Sequence, residues 1–214
     1  MRPGNEASAQ RGRSFIEAAR RAQIIGSAIA TIADVGYNKA SFARIAERAE
    51  ISAGLISYHF RGKDELIEQV VAHVVAGMTA AIEERTKGAT SYTGAFSALI
   101  EAQVGYFADH RAETLAVGSI YASTRNEVGP QNYAAVNQEH SLAQLEAFIL
   151  EAQQAGEFRE FPPRLLASAL LAALEAVPRE LFRRPGVEVD AAAYGRELAT
   201  TFELAVRKPR RGRR

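Results

Sequence analysis

The stretch GYNKASFARIAERAEISAGLISYHFRGKDEL, residues 36–66, decides how the chain is read. Ser41 and Ser52 are good helix N-caps, because a serine oxygen accepts from the first free amides of a helix. Each precedes a segment of about two turns. The first ends in AEIS, a tight turn, and the second breaks at Gly62 before a new helix starts at Lys63. Helices that short are marginal alone, so the chain keeps them for what they pack against and present. Phe42, Ile45, Ala46, Ala49, Ile51 and Ile56 are spaced to lock the pair together, which leaves Ser52, Ala53, Gly54, Ser57 and Tyr58 outside. This is the pattern of a helix-turn-helix, whose second helix lies in a DNA groove. Small residues let its backbone approach closely, and Ser, Tyr and His offer donors to phosphates or base edges. Arg44 adds a cation, and Lys63 adds another at a helix start where the dipole favours an anion. Tyr58 and His59 also have a plainer reading, as half-buried packing residues.

Working outward, apolar residues recur at helical spacing nearly everywhere and strand signals are almost absent. Ser14 and Glu17 form a capping box that predicts a helix start; Ile25, Ile29 and Ile32 mark its face, and Gly36 stops it. From Asp64 a long helix is predicted to about Arg85, with Leu66, Val70, Val74 and Met78 on one side. Further helices are expected at about 91–109, 111–124, 130–155, 163–183 and 190–207, separated by DHR, RNEVGP, AGEFREFPP and RRPGVEVD. Pro178 falls inside the penultimate one, where it removes a hydrogen bond and should bend it. The fold class is therefore all-α, about nine helices: a disordered basic arm at 1–13, a helix-turn-helix unit at 14–63, a larger helical bundle at 64–207, and a disordered basic tail at 208–214.

Charge divides the same way. Residues 1–63 carry ten Lys/Arg against five Asp/Glu, residues 64–206 carry ten against twenty, and RKPRRGRR at 207–214 adds six positive charges. A basic head on an acidic body is suited to bring only the head to a polyanion. The tail reads either as a solubilising end or as a DNA arm. The chain has no cysteine, which excludes disulfides and thiolate metal sites and fits a reducing cytoplasm. No run of 18 apolar residues argues for a membrane span, and MRPGNEASAQRGR lacks the apolar core of a signal peptide.

Enzymatic readings fail on spacing. The histidines are His59, His73, His110 and His140; no two are four residues apart, and none follows a Glu by three, so zinc-protease and di-iron helices are excluded. RGKD resembles a phosphate loop only faintly, since Ser57 stands where glycine is required. No cofactor or metal is expected.

Two apolar stripes run along the last helices: Leu166, Leu170, Leu174 and Leu181 on one, Tyr194, Leu198, Phe202 and Val206 on the other. They suit a dimer interface and could equally be intramolecular core.

With these residues in place, residues 14–66 resemble the DNA-binding domain of the TetR-family transcriptional regulators. The likeness rests on a Gly-aromatic pair, a Ser-capped helix with Ile-Ala, a turn, Ser-x-Gly, an aromatic-rich end and Lys-x-x-Leu, all within residues 36–66. It implies DNA contacts at Ser41 and Phe42, at Ala53, Gly54, Leu55, Ser57, Tyr58 and His59, and at Lys63. Two positions depart from the pattern. Glu50 stands where the family usually has glycine in the turn, and a left-handed non-glycine residue costs about 1–2 kcal/mol. Ala53 replaces a long polar side chain, which shifts the burden of recognition to Tyr58, His59 and DNA shape.

The resemblance further implies a homodimer on a palindromic operator in double-stranded DNA, a repressor released by a small-molecule effector held in the bundle. His73, Met78, Tyr106, Phe107, Tyr121 and Phe148 are candidate pocket walls, and a mostly apolar wall suits a flat or lipophilic ligand. A DNA-binding dimer without an effector, constitutive or architectural, is the alternative.

Overall fold

The computed structural model describes residues 3–183 and 189–208, with side chains from residue 15 onward. Among them are nine α-helices: α1 Pro3–Val35, α2 Phe42–Arg48, α3 Ala53–His59, α4 Lys63–Thr86, α5 Tyr92–Asp109, α6 Arg111–Thr124, α7 Tyr133–Gln154, α8 Pro163–Phe182 and α9 Ala191–Val206. The cap signals account for most boundaries. Ser41, Ser52, Ser91, Asn132 and Asp190 each accept a hydrogen bond from an amide in the first turn of α2, α3, α5, α7 and α9. Two short 3-10 turns, Tyr37–Lys39 and Gly129–Gln131, were not anticipated.

The first helix departs from expectation. It runs from Pro3 straight through Ser14, so the helix does not start there and residues 3–13 have helical backbone. Alanine, glutamate, glutamine and arginine make up six of those eleven residues and propagate a helix once it is nucleated, against two glycines, Gly4 and Gly12, that oppose it. The tail lies outside the described residues from 209 on. α8 continues through Pro178.

Two apolar cores organise the chain. One gathers Ile24, Ala28 and Ile32 of α1, Ile45 and Ala46 of α2, Ile56 of α3 and Phe60, but also Leu66, Ile67 and Val70 of α4, Ala116 and Ile120 of α6, and Tyr133 of α7. The helix-turn-helix head therefore has no closed core of its own. Its core continues across the Lys63/Asp64 boundary into the body. The second core joins Phe96, Ile100 and Val104 of α5 with Leu145 and Ile149 of α7, Leu170, Leu174 and Val177 of α8, and Ala199 of α9. By length and composition α4 is apolar enough to cross a membrane; here its apolar side, Leu66, Ile67, Val70 and Val74, is spent in the first core.

The bundle has a polarity. α4 leaves the head at Lys63, meets Tyr106 of α5 at Gly77, and pairs Arg85 with Glu101, so α5 runs antiparallel to it. α9 in turn runs antiparallel to α5, with Gly195 against Val104 and Glu203 beside Ser97. The end of α9 is pinned there: the Arg159 amide donates to the Val206 carbonyl at 2.9 Å and its guanidinium to that of Ala205 at 2.7 Å. Counting rises of 1.5 Å per residue along α4 and back along α5 puts this end about 40 Å from the head.

Candidate nucleic-acid interface

The turn between α2 and α3 is a Schellman ending. The Ile51 amide donates to the Ala46 carbonyl at 3.0 Å and the Glu50 amide to that of Glu47 at 3.2 Å, which places Glu50 at the position that favours glycine. Its φ is 55°, the only positive value at a described non-glycine residue. From α1, Gln23 closes the turn by donating to the Ala49 carbonyl at 2.9 Å.

This turn, with Ile56 and Phe60 buried beneath, orients α3 so that Ser52, Ala53, Gly54, Ser57 and Tyr58 face outward. Tyr58 is 75% exposed. It meets the ring of His59 edge-on at 5.1 Å, and His59 is half-buried, as is Leu55. Gly54 is informative. A Cβ there would meet only the Ser52 hydroxyl, at 3.9 Å, and its backbone is ordinary helix. A helical glycine costs about 1 kcal/mol relative to alanine, and nothing inside this protein requires one; the clearance faces outward. Across the turn, Ser41 and Arg44 are exposed, while Phe42 packs half-buried against the first core.

Lys63 differs from its sequence reading. Its ammonium lies 4.1 Å from the centroid of the Tyr37 ring and donates to the Tyr37 carbonyl at 2.9 Å, and burial lowers its pKa, against the opposing pull of Asp64. It is tied inward rather than extended for a phosphate. The same Tyr37 receives the body on its other side, where its amide donates to the Ser119 hydroxyl of α6 at 2.9 Å. Spacing could not show either contact, because both cross between elements distant in sequence.

Of the proposed pocket walls, Met78, Tyr106, Phe107 and Tyr121 gather at the first core, while His73 and Phe148 lie apart from them. His73 is exposed on α4, and Phe148 lies in the second core, 6.2 Å from Phe96. Met78, Phe107 and Tyr121 flank the first core. Tyr106 is buried, and its hydroxyl fills the space over Gly77, where a Cβ would come within 2.7 Å. That hydroxyl hydrogen-bonds to Glu113 and to the Val74 carbonyl. Burial first, and the Glu113 carboxylate second, push its pKa well above the usual range. The Tyr121 hydroxyl is buried without a hydrogen-bond partner, and burial raises its pKa to about 12. A groove of about 440 Å³ lies on the head, lined by Thr31, Val35, Arg44, Glu47 and Arg48. Among the described residues, no three His, Asp or Glu side chains gather as a metal site.

The dimer stripes need a correction as well. Leu170, Leu174 and Leu181 are buried within the chain, and Leu166, Tyr194, Leu198 and Phe202 are half-buried against the same core. The outward side of α8 carries instead Leu165, Ala169 and Ala172, and that of α9 Thr200, Thr201 and Leu204. Leu165 and Leu204 are 67% and 58% exposed.

The family described as "Bacterial regulatory proteins, tetR family" matches residues 24–70. The transcriptional regulator BetI 1 of Chromohalobacter salexigens is 44% identical over 66 residues, 31% of this chain and 33% of that one. BetI of Cronobacter sakazakii is 40% identical over 68 residues, 32% of this chain and 34% of its own. The match thus spans about a third of the length of these relatives. Solved structures match much further. FadR of Bacillus subtilis, solved with stearoyl-CoA, superimposes with a TM-score of 0.71 at 18% identity, covering 86% of this chain and 98% of that one. The ketosteroid regulator KstR2 of Mycobacterium tuberculosis gives 0.70 at 17% identity, over 89% and 96%. At such identities the likeness is one of fold.

Proposed function

We propose that this chain, whose residues 24–70 match the tetR family of bacterial regulatory proteins, is a homodimeric repressor of that family that binds a palindromic operator through α3 and releases it on binding a small molecule. As with the relatives named above, it is a regulator and not an enzyme. The observation that carries the reading is the outer face of α3: Tyr58 and Ser57 exposed toward its end, Ser52 exposed at its start, and Gly54 with nothing nearer to an added Cβ than the Ser52 hydroxyl at 3.9 Å. Such a face gives donors to a phosphate backbone and room for the backbone to approach base edges. Two-fold symmetry would present two such helices to successive turns of the groove, joined through the outward sides of α8 and α9.

Tyr58→Phe tests it, because the ring stays and only the hydroxyl goes. On a duplex selected by the wild type from a random pool, anisotropy should show a loss of about 1.5–3 kcal/mol for each bond to a charged phosphate, with an unchanged melting temperature. Normal affinity with a lowered melting temperature would return Tyr58 to a packing role.

The dimer without an effector keeps a specific observation in its favour, the Tyr106 hydroxyl filling the space beside Gly77. The unpartnered Tyr121 hydroxyl favours the ligand reading, since a buried donor left unmade costs about 1–3 kcal/mol. A thermal-shift screen of small molecules separates them: a compound that raises the melting temperature and frees the operator supports an effector. Operator binding that no stabilising compound disturbs supports the constitutive form.

A further inference from the structure

We propose that Arg21, on α1, is a positioning residue for operator recognition: it clamps the end of α3 that presents Tyr58 and His59. The inference rests on reading α3 as the DNA-contacting helix. α3 has seven residues, so its own hydrogen bonds hold it weakly, and its pose depends on outside anchors. At its start the anchor is local, the Ser52 hydroxyl accepting from the Leu55 amide at 3.2 Å. At its other end the last carbonyls have no partner within the helix. Arg21 supplies one from 38 residues away, its guanidinium donating to the His59 carbonyl.

Two further contacts fix the guanidinium itself. Its carbon lies 4.2 Å from the centroid of the Phe60 ring, and its other nitrogen reaches Glu65 at 3.3 Å. Glu65, at the start of α4, accepts from the Arg61 amide at 2.8 Å with its second oxygen. One planar cation thus joins α1, the end of α3, the buried Phe60 and the first turn of α4. Lysine could reach one of these acceptors but has no fork to serve two while lying flat on a ring. The clamp acts on the one end of α3 where both recognition aromatics sit. Loosening it should leave the head folded on Ile56 and Phe60 while letting Tyr58 and His59 lose register with the base pairs.

The test compares wild type, Arg21→Ala, Arg21→Lys and Glu65→Gln. Each is titrated against the duplex that the wild type selects and a scrambled duplex of equal length, over a salt series. Positioning predicts at least a tenfold loss on the selected duplex for Arg21→Ala, a smaller one for Arg21→Lys, and on the scrambled duplex a loss no larger than that of Tyr58→Phe, measured alongside. The salt slopes should stay put, since no phosphate contact is removed, and amide exchange at Ser57–His59 should quicken in the free protein. Three results overturn the proposal. Loss on both duplexes, with the slope falling by about one per contact, would make Arg21 a phosphate ligand. Full affinity in the folded variants with a lowered melting temperature would make it merely structural. A wild type that selects no duplex would sink the DNA reading itself, and Arg21 with it. If Arg21→Ala does not fold, Arg21→Lys and Glu65→Gln carry the same comparison.

Discussion

Glu50 shows what a single residue costs and why the chain tolerates it. The Schellman turn demands a left-handed residue there, and Glu50 adopts φ 55° to supply it. Glu50→Gly should relieve the left-handed penalty of about 1–2 kcal/mol, offset by about 0.5–1 kcal/mol of added unfolded-state entropy. A net gain near 0.5–1 kcal/mol should raise the melting point by a few degrees, about 2–4 °C per kcal/mol at this size. An unchanged or lower melting temperature would show that the glutamate contributes something the turn geometry does not reveal. The resemblance marked this position beforehand, since the family usually has glycine in that turn. The exposed face of α3 was legible from the residues themselves, because helical spacing is local: Ser52, Gly54 and Tyr58 fall where seven helical residues must put them. Lys63 and Arg21 were not. Their partners, the Tyr37 ring and carbonyl and the His59 carbonyl, are brought close only by the packing of α1 and α4 against the head.

At the scale of elements, the Ser41 and Ser52 caps and the Gly/Pro-bearing breaks located most helix starts, the Ser14 box misplaced the first, and the orientation of α8 was hidden. Its leucines fall on one stripe, but Leu165, Ala169, Ala172 and Ala176 make a second apolar row at the same spacing. Periodicity therefore offered two faces and no means of ranking them. The structure spends Leu170 and Leu174 on the chain's own core. Leu170→Asp should accordingly cost more than the ~2–5 kcal/mol of a buried Leu-to-Ala truncation and abolish cooperative unfolding. Ala172→Glu combined with Leu204→Glu, both on the outward sides of α8 and α9, should give folded monomers in sedimentation. A folded, monomeric Leu170→Asp protein would reverse the assignment of faces.

On the scale of the whole molecule, the basic residues at the end of α9 are held far from the basic head. Arg207 pairs with Phe158 in an isolated antiparallel bridge, at the end of the bundle where α5 begins. Deleting residues 208–214 should therefore leave operator affinity within about threefold, or ~0.7 kcal/mol; a tenfold loss would show the tail reaching DNA. The continuity of the first core has a different consequence. Anyone grafting this helix-turn-helix head onto another body, or cutting it out as a minimal module, would be misled by the order of the chain. A cut after Lys63 strips Ile24, Ile56 and Phe60 of Leu66, Ile67, Val70, Ala116 and Ile120. The transplantable unit is discontinuous: it needs the first half of α4 and the inner face of α6 as well, and a chimera joined anywhere short of Val74 would be built on an open seam.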